Sequence, residues 1–537
     1  MIISRIKIVR TILVFMIIFI SINGLFAGAS REGQQSSGTF PTGKISYPMK
    51  TDVTLTYWTG INSNIAPNFT NYNEVPFHKE WQERTGIKIT YIHPPLGTEN
   101  EAFNLIVASQ DIPDIFFRDI FSLYPGGPEK AINDGTILKL NDLIDKYAPN
   151  LKELLSSRPD WDRMVKTDNG SYYTFPNLRS DKSICVWQGL VIREDWLNEL
   201  NLQVPETFND WYTVLTAFKT RKNSPAPLAL QWNNASFMYG FGIDIGFYMD
   251  DDKIIWGRAQ PAYRDYLVMM NQWYKEGLLD PDTATLTGQQ INTKITNGTS
   301  GATFGAMGGG MAAWIPAGRA TNPNYDILGV RAPVKNKGDK LIMINIDNPY
   351  SPNNGAVSVG GTTKNREIAA RFLDWGYSQD GYMFHNFGTL GLSYNMVNGY
   401  PKYTDLILKH PQGWPIGQSM PAYMMGSYGG PHVQAVECIE QFRMLPEQGE
   451  AVANWQKDVD EPFKHKLPPI TPTPEESQEA ARIMNEVNTY ANEMMIKYIL
   501  GTEPISTFDN YISTIRRMGI DRLEAIYTAA LTRYNKR

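Results

Sequence analysis

The stretch Ile184–Phe218, ICVWQGLVIREDWLNELNLQVPETFNDWYTVLTAF, sets the reading of the whole chain. Its opening, Ile184 to Ile192, is apolar and bounded by charge, which predicts a buried strand. Trp196, Leu197 and Leu200 then recur at helical spacing, so a short helix follows the strand. Pro205 interrupts it, and Thr207 followed three residues later by Asp210 is a capping-box-like start for a second helix. Trp211, Val214, Leu215 and Phe218 fall at i, i+3, i+4 and i+7 and predict one buried face.

Upstream, strands and helices alternate. DVTLTY (Asp52–Tyr57) alternates as a first strand that runs into Trp58-Thr59-Gly60. Phe77–Thr85 reads as a helix with Trp81 inward and Gly86 as its left-handed stop. Ile87–Ile92 is a second strand. Glu99–Ser109 is a helix with Ala102, Leu105 and Ile106 on one face, and Ile112–Phe117 is a third strand. This order implies parallel pairing with right-handed crossovers. Asp168-Asn169-Gly170 is a hairpin signal. Downstream, Leu228–Gln231 and Gly355–Gly361 read as strands, and Asp250–Lys253 as a turn. Tyr266–Leu279 and Met484–Tyr534 read as helix, and Gly301–Gly310 as a strand plus glycine-rich loop.

Several of these segments share a pattern. IREDWLNELNLQVPETFNDW, ASQDIPDIFF (Ala108–Phe117), GTILKLNDLIDKYAPNLKELL (Gly135–Leu155), WYKEGLLDPD, RFLDWGYSQDGYMFHNFGTLGLSYN and the C-terminal TYANEMMIKYILG together resemble the bacterial extracellular solute-binding proteins of ABC importers. The resemblance runs from about Asp52 to Tyr534. It is greatest to the large oligosaccharide-type members of family 1, the maltose-binding-like superfamily that includes alginate-oligosaccharide binders. It implies an α/β two-lobe periplasmic-binding-protein fold, each lobe a mainly parallel sheet flanked by helices and joined by hinge crossings. Lobe 1 is expected over 49–176 and 358–400, and lobe 2 over 177–357 and 401–537.

Composition agrees with a soluble, exported chain. The first 29 residues have a basic start, the apolar run Ile12–Ile20 and Ala27-Gly28-Ala29, the three parts of a cleavable secretory signal. That run is short of the roughly 20 residues of a membrane span. No cysteine stands at the cleavage point, so a free periplasmic protein without a lipid anchor is expected. Residues 30–48, rich in Gly, Ser and Gln, read as a flexible tether. The formal net charge is −5, and losing Arg5, Lys7 and Arg10 with the signal takes it to −8. An acidic body offers no stripe to neutralise phosphates, which excludes a nucleic-acid partner. Cys185 and Cys438 are the two cysteines; export permits a disulfide, and two buried thiols are the other reading.

Catalytic and metal motifs are absent. The histidines are scattered without HExxH spacing, GAMGGGM (Gly305–Met311) lacks the Lys-Ser/Thr of a phosphate loop, and Asp250–Asp252 lacks the Gly and distal Glu of a calcium loop. Neither a cofactor nor a catalytic residue is expected. The glycine run reads as backbone approaching something closely, and the resemblance makes that something the ligand.

In the family, loops at the carboxyl ends of parallel strands face the cleft, so binding candidates lie just past predicted strands. Trp58, Asn62 and Asn64 follow the first strand, and Arg118 follows PDIFF, where it would clamp a carboxylate if the sugar is acidic. Trp187 and Gln188 lie at the entry to lobe 2, and Trp232 and Asn233 end the LALQ strand. Met307 and Gly308 occupy the loop where maltose-type proteins present a stacking aromatic; Gly308 departs from that pattern, and Trp314 is the nearby substitute. Tyr394 belongs to the second crossing, and Trp414 and Tyr428 are outlying candidates in Gly/Pro-rich loops. At 12%, aromatics suit a carbohydrate, because flat rings match the C–H faces of sugars. The expected partners are an oligosaccharide or sugar-derived solute and the permease subunits of an ABC transporter, with the protein itself a monomer. A secreted polysaccharide lyase or glycosidase, or an extracellular ligand-sensing component, is the alternative.

Overall fold

Alternation in DVTLTY places Leu55 and Tyr57 on one side of β1 (Thr54–Trp58), both buried. In this computed structural model, residues 40–352, 356–426 and 429–537 are described. The expected signal over 1–29, the first part of the tether and Tyr428 lie outside them. Residues 41–537 make up one compact unit.

The strands in chain order are β1, β2 (Lys88–Ile92), β3 (Ile115–Phe117), β4 (Leu178–Arg179), β5 (Gln188–Arg193), β6 (Leu228–Ala229) and β7 (Phe247–Asp250). They continue with β8 (Lys253–Trp256), β9 (Ala302–Ala306), β10 (Ile327–Val330), β11 (Val357–Val359), β12 (Tyr394–Val397), β13 (Tyr400–Tyr403) and β14 (Val433–Gln434). The first large sheet has the order β11-β3-β1-β2. Its β1–β2 and β1–β3 pairs are parallel, as the strand–helix alternation requires, and β11 returns antiparallel to β3 at its edge. The second has the order β10-β5-β9-β6. Here the expectation of a mainly parallel sheet is corrected: β10–β5 and β5–β9 are antiparallel, and only β6–β9 is parallel. The strand that enters this sheet, β5, runs against both of its neighbours, so the sheet is mixed.

Local readings hold where short-range chemistry decides. The helix Phe208–Arg221 opens on a capping box in which the Thr207 hydroxyl accepts from Asp210 N–H and the Asp210 carboxylate accepts from Thr207 N–H at 2.9 Å. Trp211, Val214, Leu215 and Phe218 are all buried on one face. The helix Pro76–Thr85 stops at Gly86, whose φ is 73°. In the helix Glu99–Ser109 Ala102 and Ile106 pack against the core as expected, but Leu105 is 68% exposed and Phe103 is the buried residue. The buried strand expected from Ile184 is a 3-10 turn at Lys182–Ile184 before β5 begins at Gln188. Residues 41–48 of the expected flexible tether are docked, with Arg371 donating to the Pro41 and Gly43 carbonyls and Gly43 N–H donating to Lys146 O at 2.9 Å.

One core packs around β1, β2, β3 and β11, and a second joins β5, β9 and β10 to the C-terminal helices Pro474–Leu500, Phe508–Met518 and Ile520–Tyr534. A third lies on the other face of the second sheet and holds Val191, Met307, Trp314 and Trp455. The chain leaves the first core between Leu178 and Ile184 and regains it between Ile346 and Tyr350. It leaves the first core again between Phe384 and Phe387, and touches it at Val433 before Ala435. The passages near 178–184, 346–350 and 433–435 lie side by side: Leu178 N–H donates to His432 O, Arg179 N–H to Pro349 O and Ser180 N–H to Gln434 O. Short strands at a junction between cores can bend while the packing within each core stays intact, which is what a hinge requires.

Candidate functional site

The register of the first sheet fixes which side chains gather at its outgoing end. Trp58 pairs with Ile92 and Phe116, and Tyr57 with Tyr91 and Ile115. Because side chains alternate, Tyr57, Tyr91 and Phe117 share one face while Trp58 and Phe116 take the other. On the first face the helix Pro76–Thr85 contributes Phe77, His78 and Trp81, and together they enclose a cavity of about 210 Å³. Thr59, Gly60 and Asn62, just past β1, also line it, as do Pro421, Met424 and Met425.

The polar groups of this cavity are few. Tyr72 stacks on the His78 ring with centroids 4.0 Å apart, and its hydroxyl accepts from Asn62 N–H at 3.0 Å. His78 Nδ1 lies 3.0 Å from the Tyr91 hydroxyl. Burial pulls the His78 imidazole down to about 3, so it is neutral at physiological pH. The Trp81 indole N–H has no hydrogen-bond partner among the described residues.

Of the residues expected past the first three strands, Asn62 lines this cavity, and its side-chain oxygen accepts from Asn64 N–H at 2.9 Å in an exposed turn. Trp58 is inside β1, 3% exposed and tilted against Phe103, so it presents no open ring. Arg118 lies over the same Phe103 ring, donates to Asn100, and has its Nε buried without a partner among the described residues. Partial burial lowers its pKa.

In the second sheet the ends of β6, β9 and β10 coincide with the start of β5, since Gln188 pairs with Ala306 and Leu190 with Val330. That brings Trp187, Gln188, Met307 and Gly308 together, with Trp232 and Asn233 past β6 at the same end. Trp187 is 37% exposed and is held in place: its indole donates to Asp347 at 3.1 Å, and Asp347 is ion-paired with Arg179 at 2.9 Å. Trp232 is half-buried and Asn233 exposed. Gln188 borders a void of about 20 Å³, room for about one water.

The glycine run is explained by the protein itself. Met307–Met311 is a single π-helical turn. A Cβ on Gly305 would sit 2.3 Å from the Trp314 ring, and one on Gly308 would sit 2.6 Å from Phe442. What approaches this backbone is therefore the protein's own aromatic side chains. Trp314, expected as a stacking ring, is 3% exposed, and its indole donates to Asn292 at 2.8 Å. Met307 is buried, with its carbonyl accepting from Gln448, and Tyr394 is buried against Phe387. Trp414 stacks on His410 at 4.1 Å. Sequence reading misses the cavity and Trp455, whose indole crosses Gly189 and donates to Leu190 O at 3.0 Å. Nothing in the sequence links residues so far apart. Both cysteines are buried free thiols. Among the described residues no cluster of His, Cys, Asp or Glu has metal-binding geometry, and no helix is long and apolar enough to cross a membrane.

Two sheets with separate cores, joined by adjacent passages and ending in polar and aromatic loops, define a two-lobe solute-binding fold. The bacterial extracellular solute-binding protein family matches residues 66–383, more than half of the chain, and the chain belongs to that family. It is 23% identical over 536 residues to the fructooligosaccharide ABC transporter substrate-binding protein FusA of Streptococcus pneumoniae serotype 4, an alignment covering 94% of each chain. Among solved structures, the alginate-binding protein AlgQ2 without calcium ion matches with a TM-score of 0.73 at 24% identity, over 91% of this chain and all of that one. An HMO-binding, ABC-transporter-associated solute-binding protein from Bifidobacterium longum infantis matches with a TM-score of 0.72 at 17% identity, over 90% of this chain and 99% of that one.

Proposed function

We propose that this protein captures an oligosaccharide or sugar-derived solute between its two lobes and delivers it to the permease of an ABC transporter. The observation that carries the reading is the triple passage at Leu178–Ser180, Pro349–Tyr350 and His432–Gln434, a narrow junction between separate cores. The lobes divide at these passages, with the ends of β1 and β3 in one and the ends of β6, β9 and β10 in the other, and the solute binds between them. Trp187 stacks on a sugar ring, Asn62 and Asn233 bond hydroxyls, and Trp232 supplies a second apolar surface. Ligand contacts made to both lobes exist only in the closed form, and that differential affinity drives closure. The names of the relatives, which include a fructooligosaccharide transporter component and an alginate-binding protein, favour a carbohydrate.

The role is binding without catalysis, in a periplasmic monomer released from its signal peptide. Thermal shift against neutral and acidic oligosaccharides, with each well assayed for new reducing ends or unsaturated sugars, tests this. A rise in melting temperature with the sugar intact is expected, because a ligand bound to the native state alone must stabilise it. Scattering at saturation should show a smaller radius of gyration. Consumed sugar, or an unchanged radius with saturated protein, would overturn the reading.

A further inference from the structure

The cavity at the end of the first sheet is partly exposed on one side and buried on the other. Gly60, Asn62, Phe117 and Met425 at its mouth are partly exposed, whereas Tyr57 and Trp81 on its floor are 5% and 0% exposed. Phe117 is the last residue of β3 and Gly60 follows β1, so the partly exposed lining lies at the outgoing ends of these strands. At about 210 Å³ it exceeds the roughly 150 Å³ cavity that holds one benzene. One substituted ring fits, and two do not.

Its chemistry is selective. Among the described residues that line it there is no Asp, Glu, Lys or Arg. The imidazole in its wall, His78, is neutral, with Nδ1 engaged by the Tyr91 hydroxyl. Tyr57 lines the cavity, and its hydroxyl, which makes no hydrogen bond among the described residues, can bond a hydroxyl or ring oxygen that enters. A carboxylate entering the same space would lose its hydration and gain no cation.

We infer that this cavity is an end pocket for one uncharged sugar ring, so that the protein selects oligosaccharides with a neutral terminal unit over those ending in a uronate. This rests on the carbohydrate-capture reading above and narrows it. Arg118 lies on the opposite face of the sheet, against Phe103, and does not line the pocket.

The test is isothermal titration of the full chain with neutral oligosaccharides and with matched oligosaccharides ending in a uronate. Wild type should bind the neutral series at least 10-fold more tightly. Tyr57→Phe, which removes one oxygen and leaves the ring packing, should weaken neutral binding by about 2- to 12-fold with an unchanged melting temperature. Met425→Trp, which narrows the mouth without touching the floor, should reduce neutral binding by more than 10-fold and serves as the second variant. Neutral binding that survives both substitutions unchanged would sink the pocket while leaving carbohydrate capture intact. Equal or tighter binding of the uronate series would do the same. If wild type binds no carbohydrate of either series, both readings fall together.

Discussion

At the outgoing end of the first sheet the protein leaves space, and at the corresponding end of the second it fills space with its own rings. Tyr57, Trp81 and Tyr91 surround a cavity, whereas Gly305, Gly308 and Gly189 are glycine so that Trp314, Phe442 and Trp455 can lie against the backbone. Both ends are rich in glycine and aromatics, and only one of them is open. An aromatic next to a strand end is therefore no sign of a binding ring unless its face is free. In the second lobe Trp187 meets that condition, because Asp347 holds its indole and leaves the ring exposed.

The contrast can be broken by substitution. Gly329→Ala should have the largest effect on stability: its Cβ would lie 2.2 Å from the Ala451 Cβ and 2.5 Å from the Ala451 Cα, where backbone cannot yield. Overpacking of this kind costs about 1–3 kcal/mol, visible as a lower urea midpoint. If the midpoint does not move, the second sheet is less tightly filled than its geometry states. Trp187→Ala should instead leave the midpoint in place and weaken sugar binding at least 10-fold, on the order of 1.4 kcal/mol or more. A loss of stability without a loss of affinity would move Trp187 from the site to the scaffold.

Acid should distinguish the lobes as well. Burial holds His78 at about 3 and His432 at about 4, and His385 well below its ordinary value, and His78 and His385 pack with Phe77 and Trp81 in the first core. The unfolded chain takes up these protons near pH 6.5 and the folded protein does not, so stability falls as pH drops from about 6.5 toward 4. The slope is on the order of 1 kcal/mol per pH unit for each such histidine. Asp374, pushed up to about 6 by burial, works the other way, since the folded form holds its proton between about 4 and 6. Around the first core these three histidines oppose one carboxyl, so the net change there is a loss. Hydrogen exchange at pH 5 against pH 7 should show protection lost first around β1, β2 and the helix Pro76–Thr85; uniform loss over both lobes would refute the assignment. The smallest effect belongs to Gly309→Ala, whose Cβ would meet nothing within 4 Å, and the urea midpoint should stay within about 0.5 kcal/mol of wild type.

How much is legible without the structure follows from the range of the interactions involved. The capping box at Thr207 and Asp210, the buried face Trp211–Phe218, the stop at Gly86 and the turn at Asp168–Gly170 are decided within a few residues of chain, and each forms as its local pattern predicts. In the helix Glu99–Ser109 periodicity places Ala102 and Ile106 against the core and errs at Leu105, while Phe103 turns inward; what lies beside Phe103, Trp58 and Phe116, settles it. Trp58 stands out for its position after a strand, Trp314 for its nearness to the glycine loop and Tyr394 for its place in the second crossing, and packing against Phe103, Gly305 and Phe387 buries all three.

By itself the sequence determined the order of strands and helices, the helix caps, the acidic character of the chain, and its likeness to solute-binding proteins. Those properties depend on periodicity, composition and interactions spanning a few residues. Only the tertiary structure decided that the second sheet is mixed, that the glycine run accommodates Trp314 and Phe442, and that three distant segments lie together between the cores. It alone decided that Tyr57 and Trp81 enclose a cavity. An empty space is a relation among side chains from separate elements, set by register and packing density, and no local pattern of residues encodes it.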